Sequence, residues 1–284
     1  MISRRRKEKI YFSLLKLAGI VSVGILIIII GYIIKFGIGV IDWQFLSSMW
    51  SHRDITQGGI FPAIYGTLYL AIGIAAFSIP TGMFCAIYLN EYAKGGKFVR
   101  AVRIAIRNLA GVPSIVYGLY GFAIFVFFFG LGKSLLAAWL TLASMTLPWT
   151  ITASEEALKS IPNSFREASL ALGASKWQTI RKTVLPHAIP GMITGSIIGL
   201  ARALGETAPL LLVGGVFYMG FLPAVPSDQF MALPYHIYIL ATQHTSEFAV
   251  SYAAGAAIVL ISLVFAISAG MILIRRHYRK KREW

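Results

Sequence analysis

Six apolar stretches, each long enough to cross a hydrocarbon core, constrain this 284-residue chain more than any other feature. They run from Phe12 to Ile34, Ala63 to Leu89, Leu109 to Leu131, Leu135 to Ala153, Gly191 to Phe217 and Ala249 to Ile274. A membrane core about 30 Å thick takes about 20 helical residues at ~1.5 Å each, so every run has the length of a span. Lipid offers no partner to an unpaired backbone group, and the runs are too long for barrel strands, which leaves helices. Hydrophobic residues make up 57% of the chain and charged residues 13%, a balance that excludes a soluble domain. The expected fold is an all-α membrane protein with six transmembrane helices, kinked at Pro80, Pro113 and Pro148.

A net charge of +15 would suit a nucleic-acid partner, but the placement of the basic residues decides against one. Arg4, Arg5, Arg6, Lys7 and Lys9 precede the first run, and Lys94, Lys97, Arg100, Arg103 and Arg107 separate the second from the third. Lys159, Arg166, Lys176, Arg181 and Lys182 follow the fourth, and Arg275, Arg276, Arg279, Lys280, Lys281 and Arg282 end the chain. The opposite ends carry only Lys35, Arg53 and Lys133. Basic loops stay on the cytoplasmic side, so both termini are expected there. The first run is too long for a signal peptide, and Lys35 to Asp42 offers no small-residue cleavage pattern, so it is read as an anchor.

Cys85 is the lone cysteine, which rules out an intramolecular disulfide and points to packing. The five histidines have no metal-ligand spacing and are expected to be solvated or to cap backbone groups. Gly132-Lys133-Ser134 imitates the end of a phosphate-binding loop, but Phe127 stands where that loop needs glycine. The outer segment from Met219 to Phe248 is too short to fold alone and is expected to lie along the membrane surface or re-enter it.

The polar stretch 154–190 reads as a structured element. Pro162 stops the preceding chain, and Ser164 with Glu167 has the spacing of a capping box that starts a helix at Phe165. Phe165, Ala168 and Leu172 form its apolar face, and Gly173 supplies a left-handed closing residue. Ser175 and Gln178 repeat the capping spacing and launch a second helix, expected to end before Pro186. In the fifth run, Gly191, Gly195, Gly199 and Ala203 recur every four residues, a ridge along which another helix can approach closely. Arg202 and Glu206 are also four apart, and Glu206 is the only carboxylate assigned to a span. Counted from Gly191, Arg202 lies ~16 Å into the core, where a charge costs at least about 2.5 kcal/mol unless it faces protein or water. Arg202 is therefore expected to line a pathway for an anion, with Glu206 holding it between passages; a purely structural pair is the competing reading.

Two motifs carry a resemblance. Glu167-Ala168-Ser169, then Gly173, then Thr183-Val184-Leu185-Pro186 resembles the coupling loop of binding-protein-dependent ABC importer permeases, with Ser169 and Thr183 in place of the usual Ala and Ile. Gly205-Glu206-Thr207-Ala208-Pro209-Leu210 is similar to the corresponding segment of the phosphate-specific members of that family, and the likeness covers about Gly58 to Arg276. The resemblance implies a MetI-like architecture in a bacterial inner membrane. It implies residues 1–57 as tail, first helix and periplasmic segment, 58–276 as the permease domain, and 277–284 as a cytoplasmic tail. It also implies a second permease, two ATPase subunits that contact Glu167, Ala168 and Gly173, and an external phosphate-binding protein. ATP and Mg would sit on the ATPase, no cofactor on this chain. An importer of molybdate or sulfate is the nearest alternative; an intramembrane hydrolase and an ion-driven secondary transporter are more distant ones.

Overall fold

The computed structural model describes residues 4–51, 53–93 and 95–280, with the side chains at 4–7, 9–10 and 278–280 set aside. His52, Lys94, Lys281 and Arg282 lie outside the described residues, as does the end of the cytoplasmic tail.

Twelve helices follow one another, and no strand longer than a single bridge forms among the described residues. They are α1 (Arg4–Gly37), α2 (Trp43–Ser47), α3 (Phe61–Ile87), α4 (Lys97–Leu109), α5 (Ser114–Gly121), α6 (Leu135–Lys159), α7 (Asn163–Ala171), α8 (Lys176–Thr179), α9 (Leu185–Leu204), α10 (Leu210–Val213), α11 (Leu233–Thr242) and α12 (Ala249–Lys280). Wide turns of π type extend α3 over Tyr88–Tyr92 and α5 over Phe122–Phe128, and join α8 to α9 over Ile180–Val184. Five helical runs are long and apolar enough to cross a membrane, or six if the bent pair of α4 and the α5 segment counts as one span.

That bent pair corrects the third span. Its helix does not begin at Leu109: α4 ends there, and the chain turns through 107° before starting again at Ser114. Pro113 denies the preceding residue helical geometry, so it separates two helices where a kink within one was expected. If α5 crosses the bilayer, α4 lies along its surface, and the sequence of α4 suits that position. Val99, Val102 and Ile106 pack inward while Arg100 and Arg107 are exposed. Pro80 and Pro148, in contrast, sit inside α3 and α6 without dividing them.

The fifth span is corrected at both ends. Helix runs from Lys176 to Leu204, so Pro186 does not end it. The wide turn before Pro186 bonds Leu185 N–H to Ile180 O, and the proline then takes an opening position of α9, where its missing N–H costs least. Past Leu204 the expected helix to Phe217 is absent. Gly205 ends α9, and Pro209 caps the four-residue α10 instead. Hydropathy continues through this region although helix does not, because apolar residues also line the break.

The segment after α10 divides between the two expected positions: residues 224–227 are exposed, and the chain then turns into the protein. Phe230, Met231 and Ala232 have 0% exposure. Leu135 N–H donates to Asp228 O at 2.8 Å, and Leu233 N–H donates to Thr67 Oγ1 at 2.9 Å, which ties the segment to the starts of α6 and α3. Irregular buried backbone survives only where protein satisfies it, as here. His236 on α11 corrects the expectation of solvated histidines: it is fully buried against Trp50 and Phe217, and neither ring nitrogen has a hydrogen-bond partner among the described residues.

Three buried clusters stack through the molecule. One joins Phe45, Met231 and Leu240, one Ile74, Trp139 and Leu204, and one Ile87, Leu158 and Val184. Packing and polar bonds hold such helices together, since lipid is as apolar as leucine. The Trp139 indole N–H, for example, donates to Tyr69 O at 3.0 Å across the α3–α6 contact.

Candidate functional site

The candidate site has two ends joined by α9. At one end α7 and α8 form a helical hairpin. Its first helix starts at Asn163 with Pro162 as the cap residue, so the expected Ser164 capping box does not form. Pro162 already has the extended ψ of a cap, 143°, and this moves the start two residues earlier than sequence spacing suggests. The second box does form: Ser175 N–H donates to Gln178 Oε1 at 2.8 Å, and Gln178 N–H donates to Ser175 Oγ at 3.3 Å. Gly173 between them has φ +83°, the left-handed conformation a side chain disfavours. The stretch expected to open at Ser154 is still α6 as far as Lys159.

The hairpin turns apolar side chains away from the rest of the chain. Leu172 is 89% exposed and Trp177 50%, with Phe165 and Leu170 beside them. Glu167, Ala168 and Gly173 are exposed on the same projection, and Glu167 has no polar partner among the described residues. Exposed apolar crests of this kind serve protein or membrane contacts.

Behind the crest lies a set of charges that the sequence analysis did not single out. Arg166 donates to Glu91 through Nη2 at 2.8 Å and Nε at 3.3 Å, and to the carbonyls of Ile161 and Leu158 at 2.8 and 3.0 Å. Arg103 Nε donates to Glu155 Oε1 at 3.0 Å, and its Nη2 to Leu89 O at 2.8 Å. The carboxylates of Glu91 and Glu155 are each 7% exposed. Glu206, expected as the one carboxylate of a span, lies past the end of α9, whereas Glu155 sits inside α6 and Glu91 in the wide turn that extends α3. Continuing the helical period past Ala153 would have placed Glu155 with Ile151 and Leu158, on the inward face.

At the other end, Arg202 occupies the last turn of α9, where a cation complements the helix carbonyls. Its Nε lies 3.6 Å from Glu206 Oε1, an ion pair too long for a hydrogen bond. The guanidinium rests on the ring of Trp149, 5.1 Å from the centroid, and its side chain is 43% exposed. Glu206 sits next to the charge, and among the described residues no hydrogen bond takes up the arginine donors.

The ridge on α9 faces α6. A methyl added at Gly191 would meet Ala157, one at Gly195 would overlap Ala153, and one at Gly199 would find ordinary contact with Trp149 and Thr150. The hairpin, the close α6–α9 contact and Arg202 therefore lie along one continuous rod.

Comparison with known proteins places this geometry. The profile described as "Binding-protein-dependent transport system inner membrane component" matches residues 78–280. The "Phosphate transport system permease protein PstA 1" of Mycobacterium tuberculosis is 36% identical over 241 residues, 81% of this chain and 75% of that one. A "Probable phosphate transport system permease protein PstA" of Methanocaldococcus jannaschii is 30% identical over 265 residues, 93% of this chain and 92% of that one. Among solved structures, the MetNI methionine ABC transporter aligns with TM-score 0.63 and 23% identity over 76% of this chain and 94% of that one. A bacterial ABC transporter that imports alginate aligns with the same score, 0.63, and 17% identity over 99% of this chain and all of that one. The structural likenesses establish the fold, and with the profile and the sequence relatives they show that the chain belongs to the binding-protein-dependent transport system inner membrane component family.

Proposed function

We propose that this chain is a membrane-spanning permease subunit of an ATP-driven phosphate importer, with residues 58–276 as its permease unit. The observation that carries the reading is Arg202: a half-exposed guanidinium with uncommitted donors at the broken end of a long helix, whose other end carries an exposed docking crest. The relatives named for phosphate transport support the choice of anion.

Membership of the family brings an ATPase and a substrate-binding protein as partners. The finer assignment is a PstC-like second permease, a PstB-like ATPase dimer holding ATP and Mg, and a PstS-like phosphate-binding protein outside. This chain breaks no covalent bond and is not an enzyme. Glu167, Ala168 and Gly173 present the hairpin to the ATPase, and its closure displaces α7 and α8. Because α8 continues into α9 as one helical run from Lys176 to Leu204, that displacement reaches Arg202 about 40 Å away. Small residues at Gly191 and Gly195 let α9 lie against α6 while it moves. Phosphate meets planar donors at Arg202, and Glu206 reclaims the cation after release.

The test is ATP-dependent uptake in vesicles that hold this chain with its co-purified membrane partners. Labelled phosphate should accumulate in preference to sulfate and molybdate. Preference for either of the other oxyanions reassigns the cargo, and uptake without ATP overturns the mechanism.

A further inference from the structure

Five residues at the inner end of α3, the wide turn Tyr88–Tyr92, collect contacts from three cationic side chains on three different elements. Arg166 of α7 grips Glu91, Lys176 of α8 places Nζ 5.0 Å from the centre of the Tyr92 ring, and Arg103 of α4 donates to Leu89 O. Arg103 also holds Glu155 of α6, so the turn is tied to four other helices. Turns of this type carry one extra residue between hydrogen bonds, here with Ala93 N–H on Tyr88 O at 2.8 Å, and they recur at functional positions.

We infer that this turn is the relay through which displacement of the hairpin enters the second span, with Glu91 and Arg166 as its positioning residues. The inference rests on the coupling role proposed above. Covalent chain connects the hairpin only to α6 and α9, through Ser160–Pro162 and Ile180–Val184. Without the ion pair, α7 could swing past α3. With it, every Arg166 nitrogen is engaged, and separating the charges would strand both in a nearly dry site. α3 is a single helix of 27 residues, and its outer end holds Leu233 through Thr67. The next residue, Pro234, accepts from Thr207 Oγ1 at 3.3 Å, and Thr207 adjoins Glu206. A second route therefore runs from the hairpin to the Arg202 region, along α3 and separate from α9.

The experiment reads phosphate moved per ATP hydrolysed by the reconstituted complex, together with the amount of ATPase that co-purifies. Glu91→Gln and Arg166→Gln should lower the yield of complex, yet the complex that assembles should keep its ATP hydrolysis while the transport ratio falls about tenfold, and Glu91→Asp should recover part of it. A purely structural pair would change the yield of complex and leave the ratio alone, and an unchanged ratio overturns the relay. Should the charge variants fail to assemble, spin labels decide the matter with the pair intact. In a Cys85→Ala background, Tyr88→Cys and Leu170→Cys should keep their separation between the nucleotide-free and ATP-trapped states. A change beyond about one helical turn (~5.4 Å) would overturn the proposal. If the unsubstituted complex transports nothing, the proposed function fails, and the label distance still decides the relay.

Discussion

Two arginine–glutamate pairs in this molecule do opposite things with the same chemistry. Arg166 and Glu91, 75 residues apart in sequence, meet at 2.8 Å with side-chain exposures of 17% and 7%, and two carbonyls take up the remaining donors. Arg202 and Glu206, four residues apart, stand 3.6 Å from each other, with the arginine 43% exposed. An arginine whose donors are all satisfied within the fold has nothing left for a ligand. An arginine supported on one face by Trp149 and only loosely paired keeps its edges free for one. Saturation, more than the presence of charge, separates a cation committed within the fold from one open to a ligand.

The comparison breaks most readily at its tight end. Arg166→Met strands Glu91 in a dry site and should cost about 3–5 kcal/mol of stability, whereas Arg202→Met, at an exposed and loose pair, should cost under about 1 kcal/mol. Thermal denaturation of the purified chain in detergent ranks the two, and equal losses would remove the distinction.

A buried group without a hydrogen-bond partner among the described residues extends the contrast. Burial pushes the His236 imidazole down from 6.5 to about 3. Between those values the folded form is neutral while the unfolded chain binds a proton, so acid favours unfolding. Stability should fall by about 1.4 kcal/mol for each pH unit below about 6.5, and His236→Phe should remove most of that slope. A flat profile in the native chain would mean that the ring finds a partner.

A local effect sharpens the comparison within the hairpin. Gly173→Ala forces a side chain into left-handed backbone at a cost of about 1–2 kcal/mol. Amide hydrogen exchange over residues 163–179 should quicken roughly 5- to 30-fold, and Arg202→Gln should leave it unchanged.

The unbroken spans were legible because apolar length is a direct consequence of bilayer thickness. α1, α3, α6 and α12 correspond to the runs marked by composition alone. The third and fifth spans were misjudged for a common reason: a window of hydropathy does not register a change of backbone direction. Pro113 divides one run at a 107° bend, and Gly205 with Pro209 divides the other. In the hairpin, Gly173 and the Ser175 box followed from local chemistry, and Ser164 did not because a proline already served as the cap. Arg202 stood out as a charge in an apolar run. Glu91, Glu155 and Arg166 did not, since each lies near a span end where charge is ordinary, and their pairing depends on contacts 52 and 75 residues away in the chain.

The most direct test of the unsaturated arginine is uptake by the reconstituted complex carrying Arg202→Gln beside the unsubstituted chain. The account predicts full assembly with the ATPase, unchanged thermal stability, and phosphate uptake lowered by about one to two orders of magnitude, the worth of one charge-assisted contact. Normal uptake by that variant would contradict it.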